Sequence, residues 1–231
     1  MDILKLISVL MSYPRAEMLE ALDDMADLVE RDTVLAQGDK AGLLGLIDNH
    51  RHPDLLDLQQ QYVDLFDRGR NLSLHLFEHI HGESRDRGQA MVDLMNVYQA
   101  NGFEIAAREL PDYIPLFLEY LSQRPKEESI DWLRGAMPVL ALLGARLGER
   151  GSAYAVLFQA LCNLVGETAD TVGMREQVAK EGPDETLEKM DEIWEEEAVS
   201  FMGNPEVCRK PAADEQPVRF HQRQPTQRRV G

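Results

Sequence analysis

Apolar residues recur at steps of three and four along almost the whole chain, the spacing of side chains that share one face of an α-helix. Ile3, Leu4, Ile7, Leu10 and Met11 keep that step, and so do Leu19, Leu22, Met25, Leu28 and Val29, so two short amphipathic helices flank Tyr13 and Pro14. A weaker helical stretch surrounds Leu43, Leu44 and Ile47. Pro53 fits the first turn of a helix through Leu55, Leu58, Tyr62, Leu65 and Phe66 that stops near Gly69. Met91, Leu94, Met95 and Tyr98 line another, closed by Asn101 and Gly102. Pro111 opens a helix carrying Leu116, Phe117, Tyr120 and Leu121, and Pro125 follows as its stop. Two more run through Leu133, Met137, Leu140, Leu143 and Leu147, with Pro138 as a place for a kink, and through Tyr154, Leu157, Phe158, Leu161 and Leu164. A final charged helix from about Asp184 turns Leu187, Met190, Ile193, Trp194 and Phe201 inward and Glu195, Glu196 and Glu197 to water.

Leu74, Leu76 and Ile80 alternate as a strand would, but no nearby run offers a partner strand, so that piece reads as helix or irregular chain. With no repeats and no strand-turn-strand signal, the pattern specifies an all-α, single-domain helical bundle over residues 1–202. At Gly203 the composition changes: Pro205, Pro211, Pro217 and Pro225 stand among Gln and Arg with scarcely an apolar residue. Residues 203–231 cannot bury enough surface to offset ordering, and the expectation there is a disordered tail.

Charge sharpens the contrast. The 231-residue chain carries a net −17, yet the tail holds six basic residues against three acidic ones, which leaves about −20 on the rest. An acidic body is a poor match for nucleic acid or an anionic membrane surface and a better one for a basic or mixed-charge polypeptide. Cys162 and Cys208 form no ligand or redox spacing, which fits a reducing compartment. The opening MDILKLISVLMSYPRAEM has an interrupted apolar stretch and no small-residue cleavage site, and no apolar run elsewhere approaches the ~20 residues that span a bilayer. The expected location is the cytoplasm.

Catalytic patterns are missing from the sequence: no glycine-rich phosphate loop, no GxSxG elbow and no HExxH. The best metal candidate is Glu78, His79, His81 and Glu83, but a spacing of two places the histidines on different sides of a helix, and pairing of the acids with Arg85 and Arg87 fits better. Asp64, Asp67, Glu109 and Asp112 could supply an acid and a base, though no apolar pocket is visible that would raise one pKa. A metal-dependent hydrolase and a generic helical scaffold are the alternatives to a client-binding protein; the reading adopted has no metal site and no cofactor.

One segment is specific. YVDLFDRGRNLSLHLFEHIHGESRDRGQAMVDLMNVY at 62–98, followed by RELPDYIPLFLEYLSQRP at 108–125, closely resembles the nitrate reductase molybdenum cofactor assembly chaperones, the NarJ and NarW or delta-subunit family. ILKLISVLMSYP, PVLALLGARLGER and DEIWEEEAVSF extend the resemblance in the same order over the chain up to Met202. The resemblance implies a helical, non-enzymatic chaperone in the wider redox-enzyme maturation group. It implies binding to the apo catalytic (alpha) subunit of nitrate reductase, mainly at its N-terminal segment, while iron–sulfur and molybdenum cofactors are inserted and before the subunit docks at the membrane. Molybdenum cofactor biosynthesis proteins are the further partners implied. In that wider group the peptide site carries Glu, Pro, any residue, Asp and His; here the nearest match is Glu109, Leu110, Pro111, Asp112 and Tyr113. The peptide groove is therefore expected between the helix ending DLFDRG and the one beginning ELPDY, with Tyr62, Phe66, Pro111, Tyr113, Leu116 and Phe117 as anchors and Asp64, Asp67, Glu109 and Asp112 as its rim.

Overall fold

The computed structural model of the protein describes residues 1–82, 84–105, 109–166 and Val178. These all fall in one compact unit, Met1–Glu188. The charged helix expected from Asp184, the boundary at residue 202 and the tail lie outside the described residues.

Ten α-helices run through the described residues: α1 (Asp2–Leu10), α2 (Ala16–Glu20), α3 (Leu22–Arg31), α4 (Gln37–Asn49), α5 (Leu55–Tyr62), α6 (Leu76–His81), α7 (Arg85–Ala100), α8 (Ile114–Ser122), α9 (Lys126–Glu149) and α10 (Ala155–Val165). Among the described residues the only β pairing is a single antiparallel bridge, His75 to Tyr113. None of the helices described is long and apolar enough to cross a membrane.

The strictly apolar faces make the centre. α9 packs along α10, α1 along α8, and α4 against both α3 and α10. Leu133, Leu140, Leu143 and Leu147 from α9 meet Leu157, Phe158 and Leu161 from α10, all fully buried. Gly144 sets the closeness of that pair, since a Cβ there would lie 2.9 Å from the Cβ of Phe158. Ser8 ties α1 to α8 by donating to the Pro115 carbonyl at 2.7 Å. Pro138 sits inside α9, and Val139 and Leu140 after it stay in the core.

Several boundaries differ from the expected ones. The second expected helix breaks at Ala21 into α2 and α3. Pro53 lies before α5, whose N-cap is Asp54, its carboxylate accepting from the Asp57 amide at 2.9 Å. Pro111 does not open α8; the helix begins at Ile114 with Pro115 in its first turn, because a proline ring fits there without costing a hydrogen bond. The piece around Leu74 is irregular and then helical from Leu76, as expected; only His75 is extended, and it bridges to Tyr113 rather than to a strand. After Tyr62 the helix does not continue as α but widens into a π-turn, Val63–Asp67. Such single π-turns are frequent at functional sites.

Candidate functional site

Short backbone links between two loops build the floor of the site. The Ile114 amide donates to the Leu74 carbonyl (2.8 Å) and the Leu76 amide to the Asp112 carbonyl (3.0 Å). This pins the start of α6 beside the start of α8. Asp112 is thereby carried into the interior, 0% exposed. Its carboxylate accepts from the Phe77 amide at 3.1 Å, lies 3.3 Å from His75 Nδ1 and 3.9 Å from Arg87. Burial disfavours its charge, but His75, the Phe77 amide and Arg87 together outweigh burial and hold the carboxyl below the ordinary aspartate value. Glu78 completes the cluster by accepting from Ser73 Oγ at 2.6 Å, with Arg70 at 3.8 Å and Arg87 at 4.0 Å.

Above this floor lies a cavity of about 310 Å³ lined by Tyr13, Tyr62, Phe66, Asp67, Ser73, Leu74, His75, Glu109 and Tyr113. The π-turn supplies Phe66 and Asp67 to one wall, and the bridge supplies His75 and Tyr113 to another. Tyr62 donates to the Met11 carbonyl at 3.2 Å, and its oxygen lies 3.0 Å from the Tyr113 hydroxyl. Tyr13 packs edge-on against Tyr62, ring centres 5.5 Å apart. Partial burial and the nearby Glu109 charge raise the Asp67 pKa, against the pull of His75. Burial raises that of Tyr113 too, with Glu109 and Asp67 adding to the effect.

Tyr13, Glu109 and Tyr113 also line a second, larger groove of about 630 Å³ between α1 to α3 and α8. Its walls are mostly apolar: Val9, Met18, Met25, Pro115 and Leu116, with Arg15, Glu17 and Glu119 among its polar positions. Glu119 is paired with Lys5. Groove and cavity thus meet under Tyr113.

The expected site residues separate on this geometry. Tyr62, Phe66, Asp67, Glu109 and Tyr113 come together around the cavity, and Leu116 faces the groove. Phe117 does not: it is 3% exposed, on the core side of α8, with its ring 6.3 Å from that of Trp132. Asp112 is no rim charge, because the 112–114 pairing turns it inward to hold the floor. Pro111 is buried behind it, its carbonyl accepting from Tyr98 at 2.9 Å. Asp64 lies on the far side of the π-turn, pairs with Arg68 at 2.9 Å, and lines a different cavity with Leu58, Leu65 and Tyr154. Tyr13, His75, Met18 and Met25 were missed; the Tyr13-Pro14 break between helices was the one signal that the chain turns there.

The proposed metal ligands are engaged otherwise. His79 Nε2 lies 2.8 Å from the Ser73 carbonyl, and burial keeps its pKa below the ordinary histidine value. His81 packs against Phe77, and Glu78 is held by Ser73 and the two arginines. Glu83 lies outside the described residues.

Residues 14–160 match the family model of the nitrate reductase delta subunit. The chain is 44% identical over 201 residues to the nitrate reductase molybdenum cofactor assembly chaperone NarJ of Escherichia coli K12, covering 87% of this chain and 85% of that protein. It is 42% identical over 224 residues to the E. coli K12 protein assigned as the assembly chaperone NarW, covering 96% of this chain and 92% of that one. That match runs past Met202, so the resemblance does not end where the sequence reading placed its limit. A crystal structure from Archaeoglobus fulgidus, assigned as a redox enzyme maturation protein, is 22% identical with a TM-score of 0.49, over 71% of this chain and 92% of that one. The family match spans well over half of the chain and the E. coli proteins are related over nearly all of it: this protein belongs to the nitrate reductase delta subunit family, a family of assembly chaperones and not of enzymes.

Proposed function

We propose that the protein is a cytoplasmic chaperone that holds the apo catalytic subunit of a respiratory nitrate reductase by its N-terminal segment while iron–sulfur and molybdenum cofactors are inserted, and before membrane docking. Molybdenum cofactor biosynthesis proteins are its further partners in that step. The observation that carries the reading is the apolar groove between α1 to α3 and α8, bordered by carboxylates and opening into the tyrosine-lined cavity. An amphipathic segment laid along such a groove gains affinity from apolar anchors, and acidic borders select basic or mixed-charge sequences.

Calorimetric titration of the full chain with the catalytic subunit's N-terminal peptide tests it. Binding should be saturable, and Leu116→Ala in the groove wall should weaken it by about tenfold while the melting curve keeps its shape. Phe117→Ala is the contrasting variant: on the core side of the same helix, it should lower stability and leave the affinity of the remaining folded protein unchanged. No binding by the wild type, or full-strength binding by the Leu116 variant, overturns the groove assignment.

A further inference from the structure

We propose that Tyr13 is the aromatic contact that sets the register of the client segment, with apolar client side chains on the groove side of its ring and hydrogen-bonding ones on the cavity side. The proposal rests on the groove reading and adds which residue selects the client and what pattern it selects.

Exposure singles Tyr13 out. Among the described residues every other Phe, Tyr and Trp is buried or half-buried, whereas Tyr13 is 40% exposed. A ring left in water contributes less to the fold than a buried one, and rings of this kind supply the largest contributions at binding interfaces. Its place is a second observation. Tyr13 lines the apolar groove and the cavity alike, a position shared only with Glu109 and Tyr113. On the groove side stand Val9, Met18, Met25 and Leu116; on the cavity side stand Asp67, Ser73 and His75. A segment that passes from one hollow into the other crosses this ring and moves there from apolar to polar surroundings.

Tyr13 is also held in place before any client arrives. Two carbonyls around it are taken by α5: the Tyr62 hydroxyl donates to that of Met11 at 3.2 Å, and Gln59 Nε2 to that of Pro14 at 2.9 Å. Ser12 Oγ donates to the Ser8 carbonyl at 2.8 Å, and the Tyr13 ring itself rests at right angles to that of Tyr62. Little conformational freedom therefore remains to be lost on binding, which is what makes an exposed ring an effective contact. Its hydroxyl has no hydrogen-bond partner among the described residues and is free to donate to the segment or accept from it.

The test is calorimetry of the client's N-terminal peptide on full-length protein carrying Tyr13→Ala, Tyr13→Phe or Leu56→Ala. Tyr13→Ala should weaken binding by about thirtyfold and Tyr13→Phe, which keeps the ring and its packing on Tyr62, by about threefold. Leu56→Ala removes an exposed apolar side chain outside both hollows and should change nothing. In the wild-type complex, the Tyr13 ring protons should show nuclear Overhauser contacts to an apolar client side chain, and a polar client residue should reach the rings of Tyr62 or His75. The wild-type complex keeps the proposal testable even if Tyr13→Ala does not fold. Full-strength binding by Tyr13→Ala, a Tyr13 ring without client contacts, or apolar and polar client residues in the opposite order overturns the proposal. Weakening by Leu116→Ala with none by Tyr13→Ala removes the Tyr13 contact and leaves the groove standing, whereas a wild type that does not bind removes both.

Discussion

The α9–α10 side of the molecule and the α6–α8 junction are both buried, but they are held by different forces. Along α9 and α10, aliphatic and aromatic side chains meet with hardly a polar atom between them, and Gly144 lets the helices touch. At the junction, the interior contains Asp112, Ser73 and the half-covered Glu78, Arg87 and His75, joined by hydrogen bonds and charge. An apolar seam is sensitive to changes of volume and indifferent to pH. A charged cluster defines one arrangement, because every alternative strands a buried charge, and it does so with little margin. The groove and cavity stand on the second kind of region, where two loops must be placed within hydrogen-bonding tolerance.

Four substitutions would break or sharpen that contrast, and the largest effect belongs to the apolar seam. Phe158→Ala should cost about 3–5 kcal/mol in urea unfolding, by lost transfer energy and the cavity left behind, with the same loss at pH 5 and pH 8. A clearly pH-dependent loss would mean that the two regions are not separate.

Asp112→Asn comes next, at about 2 kcal/mol, since an amide keeps the Phe77 contact but no longer answers Arg87 and His75. Its folded pKa is lowered, so the stabilisation is present above the unfolded carboxyl pKa and disappears as pH falls through the folded value. Wild type and variant should therefore converge in acid, and a constant gap in pH-dependent unfolding would rule out the charge network.

His79→Gln should have a smaller signature of the same sign, at higher pH. Burial lowers the folded His79 pKa, so its contribution is present above the unfolded histidine value near 6.5 and lost on acidification, when the unfolded chain takes up a proton first. The variant should lose part of the wild-type decline in melting temperature below that pH. An unaltered decline would assign it to other groups.

The smallest effect is expected at Asp67→Asn, with the melting temperature unchanged or slightly raised at neutral pH. The Asp67 charge is opposed by partial burial and by Glu109, so the folded protein gives up a little stability to keep it. A marked destabilisation would show that Asp67 serves the fold rather than the cavity.

Much of the helical fold was legible because one apolar face per helix suffices to report it: α1, α7, α9 and α10 lie where three- and four-residue spacing put them. Proline was less reliable. Pro53 and Pro111 carry the same signal as Pro115, and nothing local says which of them stands inside a first turn. At the site, spacing and resemblance found the residues of the π-turn and of the 109–117 segment but not which way they face. Asp67 and Asp112 look alike in sequence; one points into an open cavity and the other into the interior, because only the second has His75, Phe77 and Arg87 waiting for it. Those partners come from residues 25 to 37 positions earlier, beyond the reach of any local pattern. The groove's far wall, with Met18 and Met25, was hidden for the same reason, since an apolar face turned to a groove has the periodicity of one turned to a core.

The π-turn at Val63–Asp67 also governs how the chain would respond to a change of length. A π-turn holds one residue more than the α-helix it interrupts, so deleting a single position within it would let α5 run on as an unbroken α-helix. The helix itself would be better hydrogen-bonded and the chain after it would keep its direction, but the wide spacing of side chains within the turn would be lost. Phe66 and Asp67 would shift against the cavity wall, while the loop to Ser73 would still start from the same side. In this stretch an extra residue is therefore absorbed locally: a one-codon deletion re-aims the wall of the pocket while leaving the apolar seam of α9 and α10 intact.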